Sequence, residues 1–438
     1  MTTKPATQPR RAAHRFAAVL TAIAVVAGGA LFSTASASAA ERYDADIGAT
    51  IADIQAYWSK TMPEVYGARY DAIPDSRLFP YSADNPPPAC GAQGHAPYEE
   101  VAGNAFYCSE GDFVAWDTQQ LMPKLREQFG DFATALVLAH EWGHAIQARV
   151  GFDAYQTVEL EQQADCFAGA WTAHVADGDS DLHLSDADLD TALAGLLQLR
   201  DPSGIDGSQD GAHGNGFDRV RAFQNGVEGG ARSCAAYADT PPRVTEAAYT
   251  SEADYMNGGD MSLTEVLPAV TDSLTNYWGS TAPKVVAYSD GNAPACDGAT
   301  DGGVLVDSVV YCVSTNTIAY DRATMTRAHD QIGDFAAGVL LATAWSSSVD
   351  HAKHDTLGTT SARKTVECLT GAYTASLDGN PARSSAGSDG ITLSPGDLDE
   401  VVSMLVAAGP SDHGVDRGTA FNRVSAFRTG FFKGAPAC

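Results

Sequence analysis

Basic side chains are scarce in this sequence. Its 438 residues include 27 Lys and Arg against 55 Asp and Glu, which gives a net charge of −28. The phosphates of a nucleic acid or an anionic membrane surface would repel such a protein. We therefore expect no nucleic-acid partner and no membrane partner beyond export. The chain is long enough for two or three domains with cores of their own.

Long apolar runs are missing after the first forty residues. Residues 1–40 have the order of a signal peptide, with a basic start, an apolar run at 16–32 and the small residues "STASASAA". Cleavage after Ala39 or Ala40 is expected, which predicts a secreted protein. An uncleaved membrane anchor is the alternative, because the apolar run is close to the shortest length that spans a bilayer.

The CxxC spacing typical of a cysteine zinc site is also absent. We therefore expect the cysteines to form disulfides outside the cell. Cys90–Cys108 and Cys296–Cys312 flank Gly-rich segments and should pair locally, which leaves Cys166–Cys234 and Cys368–Cys438.

The sequence repeats itself at an offset of about 200 residues. "YCSEGDFVAWD" at 107–117 matches "YCVSTNTIAYD" at 311–321, and "LSDADLD" at 184–190 matches "LSPGDLD" at 393–399. "FDRVRAF" and "FNRVSAF" continue the match in the same order. The repeat predicts two homologous domains in tandem, 41–240 and 255–438, with a polar linker at 241–254.

Each domain is predicted to be α+β and mostly helical, with a small sheet. "FVAWD" and its copy "TIAYD" alternate like short strands. Asp131 as N-cap and Gly151 as C-cap should bound a helix with apolar residues at helical spacing. Residues 161–176 and 186–199 are predicted to form the next two helices.

The segment "HEWGH" places two histidines one turn apart on one face of the first of these helices. His140 and His144 can therefore bind one metal ion. Glu141 lies beside them, where it can act as a general base on a water molecule.

A catalytic zinc ion needs a third protein ligand and an open position. Gln147 and Val150 stand where a metzincin has Gly and His, so the third ligand is expected from the following helix. Glu161 is the candidate ligand, and Glu159 is a weaker one. Asp165 lies on the same face as Glu161 and should orient a ligand imidazole.

"HEWGHAIQ", "EQQADCFAGAW" and "HGNGFDRVRAFQNG" together resemble the bacterial putative neutral zinc metallopeptidase family. The pattern of that family is HExGHxxQ, then ExQADCxAGxW, then HG before an Arg. The resemblance covers nearly all of the first predicted domain. It implies a zincin-like fold, zinc, hydrolysis of peptide or protein substrates, and Glu161 as the third ligand.

The second copy keeps the scaffold residues of the first copy and lacks its predicted metal ligands. Thr343, Ala344 and Ser347 stand in place of the HExxH residues, whereas Trp142 recurs as Trp345. We therefore expect one zinc ion, in the first domain only. The second domain is expected to be a degenerate pseudo-peptidase repeat that packs on the first.

The comparison of the two copies also indicates that His213 is specific to the first copy, because it aligns with Arg417 in an ungapped match. A small gap would align it with His413 instead. The predicted role of His213 is to donate to a developing oxyanion.

Two other functions stay open. The first is a secreted, non-catalytic zinc-binding protein, which would need a closed four-ligand site; the sequence offers no fourth ligand at useful spacing. The second is a metallo-hydrolase that acts on cell-wall peptides, which the sequence does not separate from a general peptidase.

Overall fold

The computed structural model describes residues 37–438, except 153–156, 206, 208, 210, 250, 280–281, 290–299, 302–308, 355–359, 380–390, 408–410, 413–414 and 417. Most of the predicted signal peptide, Cys296, His413 and Arg417 lie outside the described residues. Helices dominate, and the strands form small sheets. The predicted α+β class with mainly helical content is therefore confirmed.

The first half of the chain contains seven described helices and three strands. They are α1 Ala37–Tyr66, β1 Leu78–Tyr81, α2 Tyr98–Val101, β2 Ala105–Cys108, β3 Phe113–Asp117, α3 Leu121–Phe129, α4 Asp131–Val150, α5 Thr157–Ala176, α6 Asp186–Gln198 and α7 Gly216–Ala235.

The second half has a similar order of described elements. They are α8 Glu252–Met256, α9 Leu263–Trp278, β4 Lys284–Tyr288, β5 Thr300–Asp301, β6 Val309–Cys312, β7 Thr317–Asp321, α10 Arg322–Gln331, α11 Asp334–His354, α12 Thr360–Ser376, α13 Asp397–Ala407, β8 Ser411–Asp412, β9 Val415–Asp416 and α14 Ala420–Lys433.

The main sheets of the two halves have matching strand pairings. In the first, β3 lies between a parallel β1 and an antiparallel β2. In the second, β7 lies between a parallel β4 and an antiparallel β6, and β5 extends the sheet beside β6. The bounds of the two tandem domains and of their linker stay a prediction.

The helix that carries the HExxH residues differs from its prediction at one end. Asp131 is its first residue and not its N-cap, because Gly130 precedes it with φ 79° and ψ 178°, a conformation that glycine favours. Gly151 ends the helix in the left-handed conformation, as predicted. The next helix begins at Thr157 and not at Glu161.

The core is continuous across both halves. Trp58 and Trp142 of the first half and Trp345 of the second are almost fully buried and belong to one cluster of apolar side chains. The buried Trp142 and Trp345 lie at equivalent places in α4 and α11. Trp142 is therefore part of the scaffold.

Three disulfides lie among the described residues. Cys90 is bonded to Cys108, Cys166 to Cys234, and Cys368 to Cys438. These are the pairs expected from the sequence. The second of them joins α5 to the end of α7, and both helices carry residues of the site described below. Among the described residues, no helix has the length and apolar character that a membrane span requires.

The backbones of helices α5 and α7 are in direct contact at glycine residues. A methyl group on Gly169 would overlap the Phe223 carbonyl, and one on Gly226 would overlap the Cys166 carbonyl. Gly371 and Gly430 make the equivalent contacts between α12 and α14. Glycine is required at these positions because the backbones pack directly on one another.

Gly169→Ala should destabilise the protein by about 1–3 kcal/mol, because overpacking forces α5 away from α7. Thermal unfolding measures the effect. Gly48→Ala in α1 is the control, since a methyl group there would have no neighbour within 4 Å. An unchanged melting temperature for Gly169→Ala would refute the close approach.

Candidate metal centre

The two histidines of the HExxH segment project from α4 toward α5. Gly143 lies between them, and a Cβ there would stand 2.7 Å from the Ala164 Cα of α5. The absence of a side chain at Gly143 therefore lets the two helices approach closely. This approach brings Glu161 of α5 to His140 and His144.

The three predicted ligands converge on one point. The Nε2 atoms of His140 and His144 are 3.1 Å apart. Glu161 Oε2 lies 3.2 Å from His140 Nε2, and Glu161 Oε1 lies 3.3 Å from His144 Nε2. The three side chains are only 9%, 20% and 11% exposed, in the order His140, His144, Glu161.

These distances fit a zinc ion. Ligand atoms about 2.0–2.1 Å from a tetrahedral ion lie about 3.3 Å from one another. Two imidazole nitrogens and one carboxylate are ligands that zinc accepts, and three of them leave the fourth position open. Glu161 Oε2 is buried and receives no well-aligned hydrogen bond among the described residues. A cation would satisfy it.

Both imidazoles are held by their other nitrogen. His140 Nδ1 donates to Asp165 Oδ1 over 2.8 Å. His144 Nδ1 donates to Gln147 Oε1 over 2.9 Å, and Gln147 Nε2 donates to Leu160 O over 2.7 Å. These bonds fix the ring orientation and leave both Nε2 lone pairs for a metal.

Asp165 is fixed in turn by an arginine of α7. Arg219 Nε donates to Asp165 Oδ2 over 2.8 Å, and Arg219 Nη2 donates to Asp165 Oδ1 over 2.9 Å. The side chains are 3% and 0% exposed. The bidentate pair keeps a buried carboxylate charged beside the imidazole.

The charges of the site shift its pKa values strongly. Burial opposes protonation of His140, but Asp165 and Glu161 outweigh it and raise the pKa of His140 to about 10. Burial likewise opposes ionisation of Glu161, but His144 and His140 hold its pKa well below the ordinary value. The pocket therefore favours positive charge at its centre.

Glu141 follows the ligand His140 in α4 and contacts the sheet. Its Oε2 accepts a hydrogen bond from the Tyr107 amide of β2 over 2.8 Å. Burial raises the pKa of Glu141, although His140 and His144 oppose the shift. A carboxylate with a raised pKa is suited to take and return a proton.

His213 does not belong to the group of converging ligand atoms. Its side chain is 49% exposed, and Asp201 accepts from its backbone amide over 2.6 Å. The hydrogen bond with Asp201 and the charge of Glu161 raise the pKa of His213 against the effect of burial. Glu159 does not belong to the group of atoms that meet at the site.

Three residues of the site were not assigned to it from the sequence. Gln147 departs from the metzincin pattern, and the Q of the family pattern HExGHxxQ marks its position without indicating its role. Arg219 recurs in the second copy and therefore resembled a purely structural residue. The backbone amide of Tyr107 carries no sequence signal.

The equivalent place in the second half has no metal-binding group among the described residues. Thr343 and Ser347 are buried, and their hydroxyls donate to carbonyls of their own helix. A carboxylate group does occur elsewhere in that half, formed by Asp260, Asp334 and Glu400. It contains no histidine, and Glu400 caps the first amides of α11.

Comparisons with known proteins indicate a family for the first half of the chain. The model of a family described as "Putative neutral zinc metallopeptidase" matches residues 26–237. The uncharacterized proteins Mb2605 of Mycobacterium bovis and MT2651 and Rv2575 of Mycobacterium tuberculosis are each 28% identical to the chain over 151 residues. These matches cover 28% of this chain and 52% of each relative, so the chain spans about half the length of these relatives. No solved structure matches the chain significantly.

Arg219→Gln should lower the free energy of unfolding by about 3–5 kcal/mol, because it leaves the buried Asp165 carboxylate without its cation. Denaturant unfolding of the metal-free protein measures the loss. Arg69→Gln is the control and should have no effect, since Arg69 is 91% exposed. Equal stability of the two variants would contradict the structural role of the pair.

Proposed function

Residues 26–237 belong to the putative neutral zinc metallopeptidases, and on this premise we propose that the protein is a secreted zinc-dependent peptidase. One observation carries the proposal. His140, His144 and Glu161 present three ligand atoms at zinc-like spacing, with the carboxylate of Glu141 on the residue next to a ligand.

The residues have separate roles in this proposal. His140, His144 and Glu161 would hold a zinc ion, which would supply Lewis acidity to a water molecule and to the scissile carbonyl. Glu141 takes the proton of the attacking water and gives it to the leaving amine. Asp165 and Gln147 keep the two imidazoles in the binding orientation. His213 is proposed to donate to the oxyanion.

The neighbouring sheet supports a peptide as substrate. β2 is an edge strand of its three-stranded sheet, and the amide of Tyr107 points away from β3 to Glu141. The side of β2 that faces away from β3 therefore meets the site at Tyr107. An extended peptide could add to such an edge through main-chain hydrogen bonds, which would place its carbonyls beside Glu141.

The finer parts of the proposal concern the whole chain. We take the first half to be zincin-like, and the second half to be its degenerate tandem copy with no zinc site of its own. The matching strand pairings of the two sheets support this view. Export is proposed from the order of residues 1–40, and the disulfides support it because they persist in oxidising compartments.

Glu141→Gln should retain zinc and lose peptide hydrolysis by at least about 100-fold, since a general base contributes about 10²–10⁴ in rate. Zinc content by metal analysis and turnover of a peptide library, which includes cell-wall peptides, are the two measurements. Glu127→Gln on the exposed side of α3 is the matched control and should behave as the wild type.

The two measurements separate the possible failures. Full hydrolysis by Glu141→Gln would remove Glu141 from the proposed role. A wild-type protein that binds zinc tightly and cleaves no peptide would favour the non-catalytic alternative. Cleavage confined to cell-wall peptides would narrow the substrate class.

A further inference from the structure

Two aspartates, one from each half of the chain, bind the opposite half. Asp399 of α13 accepts a hydrogen bond from the Phe217 amide, the second residue of α7, over 2.8 Å. Asp190 of α6 accepts from the amides of Ala420 and Phe421, the first residues of α14, over 2.7 and 3.1 Å. Each aspartate thus caps a helix of the other half.

The two contacts are made by equivalent positions of the repeated sequence. Asp190 ends "LSDADLD" and Asp399 ends its copy "LSPGDLD", while Phe217 and Phe421 begin the two copies of the next repeated segment. The same patch of each half therefore meets its counterpart, as in a two-fold symmetric dimer. Between the two caps, Phe217 packs against Phe427 and Phe431.

Asp399 holds two points of the first half at once. Its Oδ1 binds the start of α7, and its Oδ2 lies 3.1 Å from Arg200 Nε, just after the end of α6. Its side chain is only 4% exposed. Asp399 therefore joins both ends of segment 201–215, which carries His213.

The same two points, the start of α7 and the end of α6, also hold Arg219. Arg219 lies two residues after Phe217 on α7, and its Nη1 donates to Leu199 O, next to Arg200, over 2.6 Å. Its other two nitrogens bind Asp165, which binds His140. A continuous chain of hydrogen bonds and short covalent links thus runs from Asp399 to a ligand imidazole.

We propose that Asp399, a residue of the degenerate half, is a positioning residue for the metal centre of the first half. It fixes the start of α7 relative to the end of α6, and Arg219 then holds Asp165 and His140 in place. This inference rests on the proposed zinc site. It gives the second half a definite role, because the carboxylate that binds both the Phe217 amide and Arg200 belongs to that half.

Asp190 provides a matched control within the same molecule. It makes the same kind of cap across the same contact, but the helix that it caps leads to Arg423, which donates to Leu405 O and Gly418 O. Arg423 therefore has no HExxH segment to support in its own half. Removal of either aspartate should weaken the contact between the halves, and only removal of Asp399 should reach the zinc ligands.

The test compares Asp399→Ala and Asp190→Ala in the full chain. Zinc affinity is measured by competition with a chelator, well below the melting temperatures, and thermal unfolding is measured in parallel. Both variants should melt at lower temperature. Asp399→Ala should also weaken zinc binding roughly tenfold, at the lower end of the range for outer-shell partners, whereas Asp190→Ala should keep the wild-type affinity.

A second variant covers the case in which Asp399→Ala does not fold. Asp399→Asn keeps an acceptor oxygen for the Phe217 amide and loses the charge that faces Arg200, and it should weaken zinc binding by a smaller factor. Wild-type affinity in both Asp399 variants, or an equal loss in the Asp190 variant, would overturn the inference. A wild-type protein that binds no zinc would instead refute the proposed function.

Discussion

The site depends on one buried carboxylate, that of Asp165. Burial of a charge in a protein interior is costly unless the charge is paired and hydrogen-bonded. Arg219 supplies two charge-assisted hydrogen bonds to Asp165, and His140 supplies a third. The three residues lie on α5, α7 and α4, so a single cluster fixes the relative positions of all three helices. The ligand geometry follows from it.

The cluster can form only because the helices are already close. Gly143 removes the side chain that would separate α4 from α5, and Gly169 and Gly226 do the same for α5 and α7. The second half keeps the glycine contacts between α12 and α14 at Gly371 and Gly430. Backbone packing is thus common to both halves, whereas the group formed by His140, His144 and Glu161 lies in the first half and has no counterpart with histidines among the described residues of the second. Scaffold and chemistry are carried by different residues.

Local periodicity explains which features the sequence predicts well. His140, His144 and Glu161 follow from helical spacing and ligand chemistry, because a helix places residues four apart on one face. The hydrogen bond from Tyr107 to Glu141 could not be foreseen, since it depends on how β2 packs against α4. The helix of the site begins one residue earlier than the sequence predicts, because Gly130 with its positive φ, and not Asp131, is the N-cap.

The contact between the two halves is the feature that local sequence patterns predict least well. Asp399 lies 182 residues from Phe217, and nothing in its own segment indicates that it caps a distant helix. The two copies of the repeated segment share this aspartate, as Asp190 and Asp399, which is typical of a scaffold residue. In a two-fold contact, however, a scaffold residue of one half acts on the other half. A half without an HExxH segment can therefore hold, through Asp399, the zinc ligands proposed for the other half.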